Sequence, residues 1–511
     1  MFAETFVDLS KALALMGEWQ VILLLMLGTV IGLVFGAMPG IGAIQAMVLA
    51  LPFTFGMDPA RAMFFFTGIM GAVAFGGSIS AILFNIPGTA VNAATCFDGH
   101  PMARKGEAGR ALGISATASG LGAIFGIMVL VLLIPAVRMI VMAFGPPEFF
   151  MLILFGLMMV TFATRGNMLK GLAAAGVGIM ISLIGFGEVT AVLRFDFGSR
   201  NYLWDGILLV PFLIGIFAFG ELIHYAVRGG SIANKMDSGA IGGVREALSG
   251  AREVFRYKMC FLRSSVIGVV IGILPGIGGA VSNFVSYVIA MQTSPHRALF
   301  GTGHPEGVIA SEAANDSKDG GALLPTVAFA IPGSAEMAVL LGIFILFGMA
   351  PGPFFIREHG DVLWALILGL LFSNLLTSTF GLLGARWLAK LTFVNVRYLI
   401  PVIFTLGMAG TYVLRENVWD VAVAVMGGVL GWSLVRFGFP MLPLIIGYIL
   451  GRLAEKAFLQ SLQMSFGDYF VFVRFQGIFP ERPISFILLV LLVAIFLFAV
   501  LKKGKKRAAA A

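Results

Sequence analysis

Residues 31–43 read IGLVFGAMPGIGA, and residues 267–280 read IGVVIGILPGIGGA. Pro39, Gly40 and Gly42 of the first copy fall on Pro275, Gly276 and Gly278 of the second, 236 positions further on (275 − 39). In each copy an apolar helical run stops at Pro-Gly-Ile-Gly and then resumes. Proline removes an amide donor and clashes with the preceding turn, while glycine adopts backbone angles closed to other residues. Such a break leaves amides and carbonyls unpaired at membrane depth, where they persist only against protein or a water-filled cavity. Two breaks in matched positions of two halves point to the central binding site of a transporter. The competing account is a kink for close helix packing, since glycine is common in membrane helices.

The composition sets the class. Of 511 residues, 59% are hydrophobic and 12% charged, against about 25% charged in a soluble protein. Apolar segments of about 20 residues recur along the whole chain, each long enough to cross a bilayer as a helix. Nothing shows the alternation, in segments of about 10 residues, that marks a membrane β-barrel. The expected fold is therefore all-α and polytopic. With no soluble domain, the formal charge of +8 is read as membrane topology and not as a nucleic-acid surface. Cys96 and Cys260 lack metal-ligand spacing and read as apolar packing. The N-terminus carries Glu4, Asp8 and Glu18 against Lys11; it lacks the basic start of a signal peptide, so the first helix is expected to be retained.

A second duplicated break lies downstream. Asn85-Ile86-Pro87-Gly88-Thr89 is matched by Ile331-Pro332-Gly333-Ser334 at an offset of 245 (332 − 87). Each copy puts a small hydroxyl, Thr89 or Ser334, directly after the break, and Asn92 and Thr95 follow in the first. Neutral amides and hydroxyls beside bare backbone groups suit a carboxylate, or a sodium ion next to it. Turn capping by Ser, Thr and Asn is the alternative. The first copy sits in a stretch, 78–110, that reads as too broken for a spanning helix, with Ser78–Phe84 as a half-helix. Within it, Asp98-Gly-His100 with Arg104 and Lys105 reads as a turn and helix start.

The polar run from Glu306 to Asp319 leaves two readings open. If it is helical, Glu312, Asn315 and Asp316 share one face through their i, i+3 and i+4 spacing, and ionisable groups at membrane depth are costly and usually functional. As an exposed loop it carries ordinary solvated charges, which the neighbouring Lys318-Asp319 favours. Glu148, Glu188, Asp205 and Glu221 read as structural.

Charge assigns sides. The acidic N-terminus is expected outside; the basic connection 228–263 and the tail Lys502–Arg507 are expected inside. The two copies then start on opposite sides, as inverted-topology repeats. The expected organisation is a first repeat over 1–227, a cytoplasmic linker over 228–263 with an amphipathic helix, a second repeat over 264–456, and a coda over 457–511 with an extra transmembrane helix. There is no G-x-S-x-G, H-E-x-x-H or G-x4-G-K-[ST] motif, so neither an enzyme signature nor an ATPase is encoded. No cofactor is expected, beyond sodium as a candidate coupling ion.

The ordered set PGIGA (39–43), GGSISAILFNIPGT (76–89), ATCFDGHPMARKGEAGRALG (94–113), LPGIGG (274–279), EGVIASEAAND (306–316), GGALLPT (320–326) and AIPGS (330–334) resembles the large membrane subunit of tripartite tricarboxylate transporters, the TctA type. The likeness runs from about residue 17 to 456. It implies a bacterial inner-membrane secondary carrier for carboxylates such as citrate, driven by a sodium or proton gradient. It also implies a small four-helix membrane subunit and a periplasmic substrate-binding protein as partners. The family commonly carries Glu-Ala-Ala-Asn-Asn-Ala where this chain has Glu312-Ala-Ala-Asn315-Asp316-Ser317. Substrate is expected at Pro39, Gly40, Gly42, Asn85, Pro87, Gly88, Thr89, Asn92, Thr95, Pro275, Gly276, Gly278, Pro332, Gly333 and Ser334, and the coupling cation at Glu312, Asn315 and Asp316. A stand-alone symporter and an anion channel are the alternatives.

Overall fold

The computed structural model describes residues 2–38, 40–141, 143–163, 168–187, 189–228, 244–276, 278–352, 355–391, 396–476 and 479–508. Pro39, Glu188 and linker residues 229–243 lie outside them. Six of the described helices are long and apolar enough to cross a membrane. Exposed side chains such as Ile22, Leu23, Met26 and Leu27 clothe the first of them, Trp19–Ala37, for lipid. The protein is an all-α, multi-pass membrane protein. The described strands are two short antiparallel pairs, Gly185–Gly187 with Val192–Arg194 and Phe475–Gln476 with Phe479–Pro480.

Glycine spacing decides how the long helices meet. On the Trp19–Ala37 helix, Gly32 and Gly36 share one face and lie directly against the Pro59–Phe84 helix. A Cβ on Gly32 would sit 2.4 Å from the Ile69 carbonyl oxygen, and one on Gly36 would sit 2.3 Å from that of Val73. The second unit is built alike from the Lys258–Ile273 and Pro305–Phe329 helices. There a Cβ on Gly268 would lie 2.7 Å from the Ala314 oxygen, and one on Gly272 would lie 2.3 Å from that of Lys318. The glycines correspond at 236 residues and the carbonyls at 245, the two offsets of the sequence duplication. In both pairs the contacting numbers rise together, so the paired helices run parallel. Gly32→Val is expected to cost about 3 kcal/mol by overpacking and to lower the melting temperature of the purified protein. Gly176→Val, where a side chain would meet open space, is expected to leave it unchanged.

Parallel neighbours need a return path. Ala43–Ala50 with the 3-10 turn Leu51–Thr54 supplies it in the first unit, and Gly278–Thr293 in the second. Glu18 and Arg61 accordingly pair at 2.7 Å, and Cys260 Sγ reaches the Glu306 carbonyl at 3.6 Å. The helices on either side of each Pro-Gly-Ile-Gly motif thus form a hairpin, with Gly40 and Gly276 near its turn. The apolar run resumes there, but in the reverse direction.

The Pro59–Phe84 helix is continuous over 26 residues, so Ser78–Phe84 is its last part and not a separate half-helix. It ends as expected at Asn85, whose left-handed φ of 56° is matched by 55° at Ala330. The chain then dips back: the Gly88 amide donates to the Gly77 carbonyl at 3.3 Å, and the Gly40 amide to the Gly88 carbonyl at 3.2 Å. From the first dip it leaves as the Cys96–Arg104 helix, and from the second as Ala335–Leu346.

The polar run is the larger surprise. Residues Pro305–Phe329 form one 25-residue helix, buried from Pro305 to Ala328. Its charges make it look like a loop, but it packs against the helices Ala108–Val141, Lys258–Ile273 and Gly278–Thr293 and so never meets lipid. Beside it the amphipathic helix Val244–Arg256 docks on Ala108–Val141. Ala247 and Val254 are buried there, and Arg110 holds Glu253 at 2.7 Å.

Candidate functional site

Glu312 lies two turns into the polar helix and is fully buried. Three hydroxyls from three other segments converge on its carboxylate. Ser78 Oγ donates at 2.8 and 2.9 Å, Thr95 Oγ1 at 2.5 Å and Ser119 Oγ at 2.9 Å. Ser78 comes from the Pro59–Phe84 helix, Thr95 from the first dip and Ser119 from Ala108–Val141. Hydroxyl donors suit an acceptor of high charge density, and bonds to an ionised acceptor are about twice as strong as neutral ones.

The network continues through the first dip. Asn92 Nδ2 donates to Ser78 Oγ at 2.8 Å and to the Ala74 carbonyl at 2.9 Å, and Thr89 Oγ1 donates to Asn92 Oδ1 at 2.6 Å. Both hairpin tips touch this dip. A Cβ on Gly42 would lie 3.3 Å from Thr89 Cγ2. From the second hairpin Asn283 Nδ2 donates to the Val91 carbonyl at 2.6 Å. Hairpins, first dip and polar helix therefore share one buried polar core.

Next to it, one turn along the polar helix, stand polar atoms of another kind. Both polar atoms of the Asn315 side chain, both carboxylate oxygens of Asp316 and the Ser317 hydroxyl are buried with no hydrogen-bond partner among the described residues. Ser265 and Ser282 of the second hairpin also bury hydroxyls with no hydrogen-bond partner among the described residues. Buried polar groups are almost always paired, so a concentration of hard oxygen donors is chemically fitted to an alkali cation or to water. The same helix carries Lys318, whose Nζ reaches Asp319 Oδ1 at 2.6 Å.

Of the residues expected to bind, Thr89, Asn92, Thr95 and Glu312 come together in one network, with Asn315 and Asp316 beside it. The others contribute no side-chain hydrogen bond to it, although Gly42 lies against Thr89 and the Gly40 amide binds the Gly88 carbonyl. Asn85 is an exposed helix cap. Ser334 Oγ accepts the Met337 amide at 3.3 Å and caps the following helix. Gly40 faces Tyr225, and Gly276 lies against Val160. Pro87 and Gly88 form the first dip, Pro332 and Gly333 the second, and Pro275 and Gly278 flank the second tip. Asp98 is a staple: it accepts the amides of Gly301, Gly303 and His304 at 2.8–2.9 Å and the Tyr287 hydroxyl at 2.7 Å. Sequence reasoning missed Ser78, Ser119 and Lys318. The serines sit in ordinary apolar helices, and only their position marks them. A cavity of about 560 Å³ lined by Leu209, Met349, Tyr448 and Arg452 among others shares no residue with the network.

The profile of the tripartite tricarboxylate transporter TctA family matches residues 22–446. This chain belongs to that family. The match takes in both hairpins, both dips and the whole Glu312 network, and it ends before the last helix. TctA-family membership makes the chain a transport protein, the large subunit of a tripartite tricarboxylate transporter. It is 32% identical over 450 residues, 87% of its length and 88% of the relative, to an uncharacterized 52.8 kDa protein from the TAR-I ttuC′ 3′ region of Agrobacterium vitis. A second uncharacterized protein, from the TAR-II ttuC′ 3′ region of the same organism, is 35% identical over 207 residues, 40% of this chain and 85% of the relative. No solved structure matches the chain.

Proposed function

We propose that this TctA-family chain is the permease of a secondary transporter that imports di- or tricarboxylate anions down a cation gradient. It works in the bacterial inner membrane with a small four-helix membrane subunit and a periplasmic binding protein that delivers the substrate. The observation that carries this reading is the Glu312 carboxylate, buried and held by hydroxyls from three segments of the other half. Such a group is costly at membrane depth and is retained for ion or proton traffic.

The two units are read as oppositely oriented repeats. Asp98, beyond the end of the Pro59–Phe84 helix, binds the loop that starts the Pro305–Phe329 helix, which supports antiparallel placement of these two helices. The basic charges of the connection 228–263 and of the C-terminal tail support a second repeat that starts in the cytoplasm, with the N-terminus outside. Substrate lies against the first dip, Thr89 to Thr95, and the second hairpin; the cation lies at Asn315 and Asp316, with Glu312 linking the two. Alternating access moves the hairpins and dips relative to the rest of the bundle.

The test is uptake of labelled succinate and citrate by proteoliposomes holding the complete three-part system. Thr89→Val, which removes the donor to Asn92, is expected to lower kcat/KM by about tenfold, the worth of one such hydrogen bond, with the melting temperature unchanged. An unchanged kcat/KM would remove the first dip from the site.

A further inference from the structure

We infer that Lys318 is the cationic ligand of a substrate carboxylate, and that this carboxylate takes the place of Asp319 at its ammonium group. The inference rests on the carboxylate-transport reading above and adds a residue that neither the duplicated motifs nor the polar run single out. Among the described residues no other lysine or arginine is buried; Lys318 is 5% exposed. A buried charge persists only when it is paired, and among the described residues this one has a single hydrogen-bonded partner, with Glu336 and Asp316 attracting it from further off. Its Nζ carries three donors, of which one is used by Asp319 Oδ1. Adjacent residues of a helix do not face each other, so Lys318 must bend back to reach Asp319. That is a one-point contact, and an incoming carboxylate can replace it without rearranging the helix.

The path of the side chain is also built for it. A Cβ on Gly279 would lie 2.1 Å from Lys318 Cε and 2.6 Å from Cδ, and 2.7 Å from Val91 Cγ1. The lysine stem therefore lies against the second hairpin where that hairpin meets the first dip. The ammonium is carried to the junction of the elements that hold Thr89, Asn92 and Asn283.

The duplication separates function from packing. At the 245-residue offset Lys318 corresponds to Val73, Asp319 to Ala74 and Asp316 to Gly71. The first unit makes the same helix contacts with apolar side chains, so packing does not require charge at these places. The local balance is acidic, with Asp319, Glu336 and Asp316 around one lysine and Glu312 behind Asp316. When a substrate carboxylate binds Lys318, Asp319 is released next to Asp316, and the pair then holds a cation. One exchange thus ties anion binding to cation binding, and no proton or covalent bond is moved.

The experiment uses the complete three-part transporter in proteoliposomes, with labelled succinate and citrate. Lys318→Gln is expected to raise KM about 100-fold, the worth of one charged hydrogen bond in the upper range. Lys318→Arg is expected to recover part of that loss. Asp319→Asn is expected to lower KM, because the lysine is then free, and to weaken the dependence on the cation gradient. The double variant Lys318→Val with Asp319→Ala copies the first unit's Val73 and Ala74; it is expected to fold and to lose uptake. An unchanged KM in Lys318→Gln, or a higher KM in Asp319→Asn, would overturn the exchange. Full uptake by the double variant would overturn the role of Lys318 altogether. If the wild-type system takes up neither acid, the carboxylate reading itself has failed, and that result is distinct from all of these.

Discussion

Glu312→Gln is expected to abolish uptake while leaving the helix bundle folded. The wild-type carboxylate accepts from Ser78, Thr95 and Ser119. Glutamine keeps one acceptor oxygen and brings two N–H donors to face hydroxyl donors, so at least one hydroxyl must turn away. Hydrogen bonds to a charged group are worth about 1.5–3 kcal/mol each, so a loss of roughly 100-fold or more in transport rate is expected. Glu312→Ala removes the acceptor entirely and strands three donors at once; that variant is expected to lose stability as well as transport. Initial uptake rates, read beside size-exclusion profiles and melting temperatures, separate the two effects. A Glu312→Gln protein that transports at the wild-type rate would show that the carboxylate merely ties the two halves together.

Asp316→Asn is expected to behave differently, with transport kept and the cation requirement changed. Both Asp316 oxygens are buried and unpartnered among the described residues, one turn beyond Glu312 and beside Asn315. Asparagine has nearly the same shape and volume as aspartate, so the fold should accept it without repacking. Removing one negative charge from an oxygen-rich site is expected to raise the half-saturating cation concentration about tenfold or more. The charge moved per turnover should change by one elementary charge. Uptake at graded sodium concentration and graded pH, with electrical recording on the same liposomes, reads both quantities. An unaltered cation dependence would place the coupling site elsewhere.

Much of this architecture was legible because backbone constraints leave marks in sequence. The Pro-Gly-Ile-Gly breaks and the dips at Pro87–Gly88 and Pro332–Gly333 are places where proline and glycine are needed, and they recur at fixed offsets. What failed to show was the direction of the chain after each tip. A kinked helix and a hairpin use the same residues, and only the glycine-lined contacts of Gly32 with Ile69 and of Gly268 with Ala314 separate them. The polar helix was ambiguous for a different reason. Hydropathy measures a residue's preference between water and lipid, and Glu312, Asp316 and Lys318 meet neither, because other helices enclose them. Thr89, Asn92 and Thr95 were visible as polar residues near a break, whereas Ser78 and Ser119 look like any serine in an apolar helix. Ser334, the counterpart of Thr89, shows that a duplicated motif can keep its geometry while one copy serves as a helix cap.

The most direct measurement of the central claim is uptake of labelled succinate and citrate into proteoliposomes holding this chain, its small membrane subunit and its binding protein. It is made with and without an imposed inward cation gradient. The account predicts accumulation of at least one of the two acids that requires the gradient and collapses when an ionophore dissipates it. Equal uptake with the gradient absent, or none of either acid with the gradient and all partners present, would contradict it.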